Sequence, residues 1–169
     1  VVTLRLDNHF LSLTINPTLG CNFACPYCFE GEHNNIFMTD EVEDGIIDFV
    51  KRKTDAKRID VTWFGGEPLL AFQRIVSLTR KMQSLGLAYS AGMITNGYLL
   101  NESVISQLKL LDIKKIQITV DGLQEEHDKR RFLKGGYPTF ERIVENIDLL
   151  NKLVPDIPVS YTHLRAHET

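Results

Sequence analysis

Four times along this chain, a short stretch of alternating apolar and polar residues runs into a cluster of reactive or turn-forming side chains. Leu11, Leu13 and Ile15 alternate with Ser12, Thr14 and Asn16 and lead into three cysteines. Ile59, Val61 and Trp63 lead into Gly65-Gly66-Glu67-Pro68. Residues 89–94 end at Asn96-Gly97, and Ile116, Ile118 and Val120 end at Asp121-Gly122. Alternation at period two predicts strands. Helical stripes separate them. Val42, Ile46, Phe49 and Val50 follow Thr39-Asp40, good N-cap residues with acids in the first turn. Phe72, Ile75, Val76 and Met82 mark a second helix. Asn101 caps a third carrying Val104, Ile105, Leu108 and Leu111, and Phe140, Ile143, Val144, Ile147 and Leu150 line a fourth. Repeated β–α units imply an α/β fold, with a parallel sheet covered by helices through right-handed crossovers.

The two faces of these strands differ. The apolar sets should point outward against the helices. That leaves Ser12/Thr14/Asn16, Asp60/Thr62/Phe64 and Gln117/Thr119/Asp121 facing inward. A closed eight-stranded barrel fills its interior with branched apolar side chains, whereas this interior is mostly polar. Buried polar groups need partners, so an open, partial parallel (β/α) barrel wrapped around a polar ligand is expected. The alternative is an open sheet with one solvated face. Each motif lies at the C-terminal end of a strand, where parallel α/β folds bind ligands.

Cys21, Cys25 and Cys28 have C-x3-C-x2-C spacing, and the chain has no other cysteine. Three thiolates on a four-iron cluster leave one iron open to a further ligand. A structural zinc site wants four ligands, and His33 is the nearest fourth candidate. A disulfide plus a spare thiol is a third reading.

The blocks together resemble the radical S-adenosylmethionine (SAM) superfamily. The similarity is to its peptide- and protein-maturing branch, whose members usually carry a further cysteine-rich SPASM or twitch region. The cysteine run with Tyr27 before its last Cys, Gly65-Gly66-Glu67-Pro68, Ile94-Thr95-Asn96-Gly97, and Thr119-Val120-Asp121-Gly122 followed by His127-Asp128 and Arg131 stand in that family's order across residues 11–153. The resemblance implies a 4Fe–4S cluster on Cys21, Cys25 and Cys28, with SAM on its open iron. It implies that Tyr27 lies at the adenine side. Gly65, Gly66 and Pro68 would form the loop beside the methionine part, with Glu67 accepting from its ammonium. Asn96 would contact the ribose or methionine part, and Thr119 with Arg131 would hold the carboxylate, which a guanidinium grips by two parallel hydrogen bonds. Phe23 and Phe29 are candidates to shield the cluster. Asp121 either supports a ligand-binding side chain or starts a turn, and His127 is a candidate turn-packing histidine. Implied partners are a peptide or protein substrate and an electron donor such as flavodoxin or ferredoxin. Family members that oxidise Ser or Cys in sulfatases typically carry glutamine before this glycine pair. Phe64 stands there instead, which tilts the reading toward thioether or carbon–carbon crosslinking. A non-catalytic electron-transfer or metal-sensing domain is the reading from another class.

The chain has 169 residues, 43% hydrophobic and 24% charged, with a net charge of −3. That length supports one domain with a real core. A mild negative charge with no basic run gives no reason to invoke nucleic acid or a membrane surface. No apolar stretch is long enough for a bilayer span, and clustered cysteines suit a reducing compartment, so the cytoplasm is expected. Residues 1–158 read as a radical SAM core truncated after about four β/α units and the start of a fifth strand at Ile157-Pro158-Val159-Ser160. A SPASM region is not expected within these 169 residues. Residues 159–169, VSYTHLRAHET, read as one frame of a transposase-end sequencing adapter, so His163 and His167 are not expected to form a metal site.

Overall fold

The computed structural model describes residues 2–7, 9–31, 34–52 and 55–162. One six-stranded sheet runs in sequence order: β1 (Val2–Asp7), β2 (Phe10–Ile15), β3 (Arg58–Trp63), β4 (Ala88–Thr95), β5 (Ile113–Thr119) and β6 (Val159–Thr162). Strands β2 to β6 are parallel, as the β–α alternation requires. The helices are α1 (Asp40–Arg52), α2 (Phe72–Gln83), α3 (Glu102–Ile105), α4 (Gln124–Arg130) and α5 (Phe140–Leu153). The result is a partial parallel (β/α) barrel. No described helix is long and apolar enough to cross a membrane.

Register aligns the apolar rows across the sheet. Ile15 sits opposite Trp63, Trp63 opposite Met93, and Met93 opposite Ile116. All four are at most 1% exposed, as are Leu11, Leu13, Ile59, Val61 and Ile118. Each such side chain contributes about 1.5–3 kcal/mol when buried, so the outward face carries the core. Ile75, Leu78, Met82, Ile105, Ile143 and Leu150 supply the helix side of it. The inward-facing set is only partly buried, apart from Asp121.

The elements differ from expectation in five places. Strand β1 is antiparallel to β2, pairing Leu4 with Leu13; the period-two pattern at Val2, Leu4 and Leu6 was its signal. Helix α1 turns Glu43 inward with Ile46, Ile47 and Val50, leaving Val42 49% exposed. Helix α3 is one turn long. Asn101 caps it by accepting from Val104 N–H, and the chain then reaches Asp112 at φ +51° through turns that still bury Leu108 and Leu111. Where only a turn packed by His127 is expected, Gln124–Arg130 form helix α4 with His127 fully buried. The fifth parallel strand, β6, extends to Thr162, with Tyr161 half exposed. Residues His33, His163 and His167 lie outside the described residues.

Candidate functional site

The loops after β2 and β3 are locked together backbone to backbone. Thr18 folds the first loop, its hydroxyl accepting from Gly20 N–H and donating to the Ile36 carbonyl. Gly66 lies against that fold so closely that a Cβ would sit 2.3 Å from the Gly20 carbonyl oxygen and 2.8 Å from that of Leu19. Gly65 has φ +115°, and its Cβ would meet the Thr18 oxygen at 2.5 Å. Glu67 N–H then donates to Gly20 O at 2.9 Å. The glycine pair therefore serves first for close approach to the chain's own cysteine loop.

Glu67 is fully buried, and its carboxylate is engaged on both oxygens. One accepts from Leu69 N–H at 3.0 Å and the Thr95 hydroxyl at 2.7 Å; the other accepts from Asn96 N–H at 2.7 Å. Burial pushes its pKa up, opposed by these three donors. Pro68 is buried beside it at the start of a short 3-10 turn. Neither residue lines the cavity described next. The structure thus places Glu67 as the tie between the ends of β3 and β4.

The motifs converge on a single cavity of about 310 Å³ at the C-terminal ends of β2 to β5. Its wall contains Cys21, Cys25, Cys28, Tyr27, Gly65, Gly66, Asn96, Thr119 and Arg131. All three cysteines are thiols. Among the described residues, no three His, Cys, Asp or Glu form a group able to hold one metal ion. Burial raises the Cys21 thiol to about 11, and Phe23 N–H on its sulfur at 3.4 Å works against that. Burial also raises Cys25, while the Arg131 guanidinium draws it down. Arg131 is the single cation among the lining residues, a position that suits an anionic thiolate assembly. Phe23 is 1% exposed and packs edge-on to Tyr98. Phe29 is 83% exposed and stacks on Phe64 at 6.2 Å, both of them on the cavity wall.

A second tie joins the cysteine loop to the loop after β5. Ala24 N–H donates to Phe132 O, and Lys134 N–H to Asn22 O. The Tyr27 hydroxyl donates to Asp121 and accepts from Arg131 Nη1 at 3.0 Å, and the guanidinium lies over the Phe23 ring. Burial and the Asp121 carboxylate push the Tyr27 phenol up to about 12. His127 Nδ1 accepts from Asp121 N–H, which leaves Nε2 carrying the proton toward the Thr139 hydroxyl at 3.1 Å. That hydroxyl donates in turn to Arg131 O. Burial, then Arg131, lowers the His127 pKa, consistent with this neutral tautomer. His127 and Asp121 are thus supports for Arg131 and Tyr27. Sequence named Tyr27, Asp121, His127 and Arg131 one by one but not the bonds that join them, which span 94 and 104 residues.

The family model for the radical SAM superfamily matches residues 15–165. The serine-type anaerobic sulfatase-maturating enzyme of Bacteroides thetaiotaomicron is 31% identical over 145 residues, 78% of this chain and 34% of that protein. The cysteine-type enzyme of Clostridium perfringens strain 13 is 32% identical over 157 residues, 84% of this chain and 41% of the relative. The structure of native anSMEcpe with bound AdoMet and Cp18Cys peptide superposes with a TM-score of 0.74 at 29% identity, covering 92% of this chain and 42% of that one. The chain thus spans well under half the length of these three relatives. With four motifs on one cavity wall and a family match across most of its length, the chain belongs to the radical SAM superfamily.

Proposed function

We propose that the protein binds a 4Fe–4S cluster through Cys21, Cys25 and Cys28 and SAM in the adjoining cavity, and that it modifies a peptide or protein. The observation that carries this reading is the shared wall of three thiols, the Gly65-Gly66 backbone, Thr119 and Arg131 around about 310 Å³. When bound, the two groups supply reductive cleavage of SAM and hydrogen-atom abstraction from carbon. The chain's own residues hold and exclude. Arg131, anchored through Tyr27, is placed to take a carboxylate with Thr119. The glycine pair offers backbone to the methionine part, and Glu67 acts from behind by fixing Asn96. Tyr27, on the cavity wall, would face the adenine. A flavodoxin- or ferredoxin-class donor would supply electrons, and three thiols suit a reducing, cytoplasmic setting.

Two substrate readings rest on different observations. Identity of 31–32% to serine- and cysteine-type sulfatase-maturating enzymes favours oxidation of a Ser or Cys side chain. Phe64, stacked with Phe29 on the cavity wall in place of a glutamine, favours thioether or carbon–carbon crosslinking. The test is anaerobic reconstitution of the full-length protein with iron and sulfide, then dithionite and SAM. We expect about four irons per protein and release of methionine and 5′-deoxyadenosine, both lost in Cys25→Ala. Tight binding of one zinc with no SAM cleavage would overturn the reading in favour of a structural metal domain.

A further inference from the structure

Asn96 has every polar function of its side chain committed. Its Oδ1 accepts from Tyr98 N–H at 3.0 Å. One Nδ2 hydrogen goes to Asn22 Oδ1 at 2.8 Å, and Nδ2 also lies 4.0 Å from Cys21 Sγ. Its backbone N–H is held by Glu67. With Oδ1 fixed by a donor and Nδ2 by an acceptor, the amide cannot flip without losing both bonds. The 4.0 Å contact with Cys21 Sγ is the one left to the second Nδ2 hydrogen. Cys21 is the most buried of the three cysteines, and it already receives Phe23 N–H at 3.4 Å. Electrostatic effects on this sulfur are amplified by its low-dielectric surroundings.

We infer that Asn96 tunes the reduction potential of the cluster by donating its side-chain N–H to the Cys21 sulfur, rather than serving chiefly as a contact to SAM. The inference rests on the cluster reading above. One-electron reduction by an external donor adds negative charge that is shared with the thiolate sulfurs. A fixed N–H donor stabilises that added charge and so favours the reduced state. Removing one long donor should shift the oxidised-to-reduced ratio about threefold, equivalent to about 30 mV at 59 mV per tenfold for one electron.

The experiment is a redox titration, followed by electron paramagnetic resonance, of the anaerobically reconstituted full-length protein and its Asn96→Asp variant without SAM. Alongside it, pulsed spectroscopy of the unsubstituted protein, labelled with 15N at asparagine side-chain amides, reads coupling to the reduced cluster. We expect a 15N coupling, its loss in Asn96→Asp, and a midpoint lower by 30 mV or more at unchanged iron content; because Asp also adds a charge that lowers the midpoint, the shift supports the inference only together with the lost coupling. An unchanged midpoint in a fully loaded variant overturns the inference and leaves the cluster reading standing. If Asn96→Asp does not load, the 15N coupling in an Asn22→Asp variant, where Asn22 contributes no labelled amide, decides: its presence supports the inference and its absence overturns it. Unsubstituted protein that takes up no iron and sulfide overturns the cluster reading and this inference together.

Discussion

Gly66→Ala should destabilise the protein by about 2–4 kcal/mol, although it adds a single methyl group. The new Cβ would lie 2.3 Å from Gly20 O, 2.7 Å from Gly20 C and 2.8 Å from Leu19 O. All three are backbone atoms, so no side chain can swing away. Relief to ordinary contact requires the two loops to part by roughly 1 Å. Overpacking of this kind costs about 1–3 kcal/mol. The movement also stretches the 2.9 Å bond from Glu67 N–H to Gly20 O, worth about 0.5–1.5 kcal/mol. Gly45→Ala is the internal control. It lies in α1 with nothing within 4 Å of the built Cβ and no positive φ, so it should stabilise by up to about 1 kcal/mol. Urea unfolding of the full-length protein followed by circular dichroism gives both numbers. Equal midpoints for Gly66→Ala and the unsubstituted protein would refute the claim that these loops touch.

Glu43→Ala removes a fully buried carboxylate from Arg74 at 3.2 Å, Lys81 at 3.0 Å and Ser77 at 2.8 Å. Both cations are about a third exposed and can rehydrate, so a loss of roughly 1–3 kcal/mol is expected in urea midpoints; Val42→Ala should change little. His127 is held neutral between Asp121 N–H and Thr139, facing Arg131, Asp121 and Asp128, with its pKa below the ordinary 6.5. The unfolded chain therefore binds the extra proton first as pH falls, so the stabilisation present above about pH 6.5 is lost on acidification toward the folded-state pKa. A His127→Gln variant, melted at pH 5.5 and 7.5, should show a smaller difference between the two than the unsubstituted protein; an equal difference would remove His127 as the cause. In metal-free protein at pH 8, Cys21, with a pKa of about 11, should react with iodoacetamide at least about tenfold more slowly than a small-molecule thiol. Mass spectrometry of the alkylated peptides reads that rate, and alkylation of Cys21 as fast as that thiol would contradict its burial.

The strands and their faces were legible because parallel register joins residues of the same parity into rows, so a period-two pattern in one strand agrees with its neighbour. The α1 stripe was right at Ile46, Phe49 and Val50 and wrong at Val42, because two stripes fit the first turn, one through Val42 and one through Glu43. Only Arg74 and Lys81 on α2 decide between them, and they become visible once the helices pack. The same limit applied at Glu67. A motif places a carboxylate at a strand end, but nothing local says whether it faces a ligand or the Thr95 hydroxyl and Asn96 amide. Leu108 and Leu111 kept helical spacing although the chain there runs through turns, because burial at i and i+3 is satisfied by either conformation. The charged segment that forms α4 reads as surface in composition, and four of the helix's seven side chains are exposed. The buried one, His127, is the residue that organises the loop.

The cysteine loop is held from three strand ends by groups of the chain itself. Gly66 and Glu67 fix its entry from β3, and the Asn96 side chain reaches it from β4. The backbone of Phe132 and Lys134, with Arg131 on Tyr27, closes it from the segment after β5. A metal site in a short isolated loop folds only as it binds, and its binding free energy is then folding free energy. Here the ties to the loop are backbone and buried side-chain bonds that need no cofactor, and each depends on the register of a different pair of strands. The sheet, rather than the metal, therefore sets where the three sulfurs stand. It follows that substitutions at the ties act on the cluster through position. On the proposed cluster assignment, a lost tie would displace a sulfur or a donor, whereas a lost cysteine would remove a ligand, and the two are separable by whether iron content or reduction potential changes first.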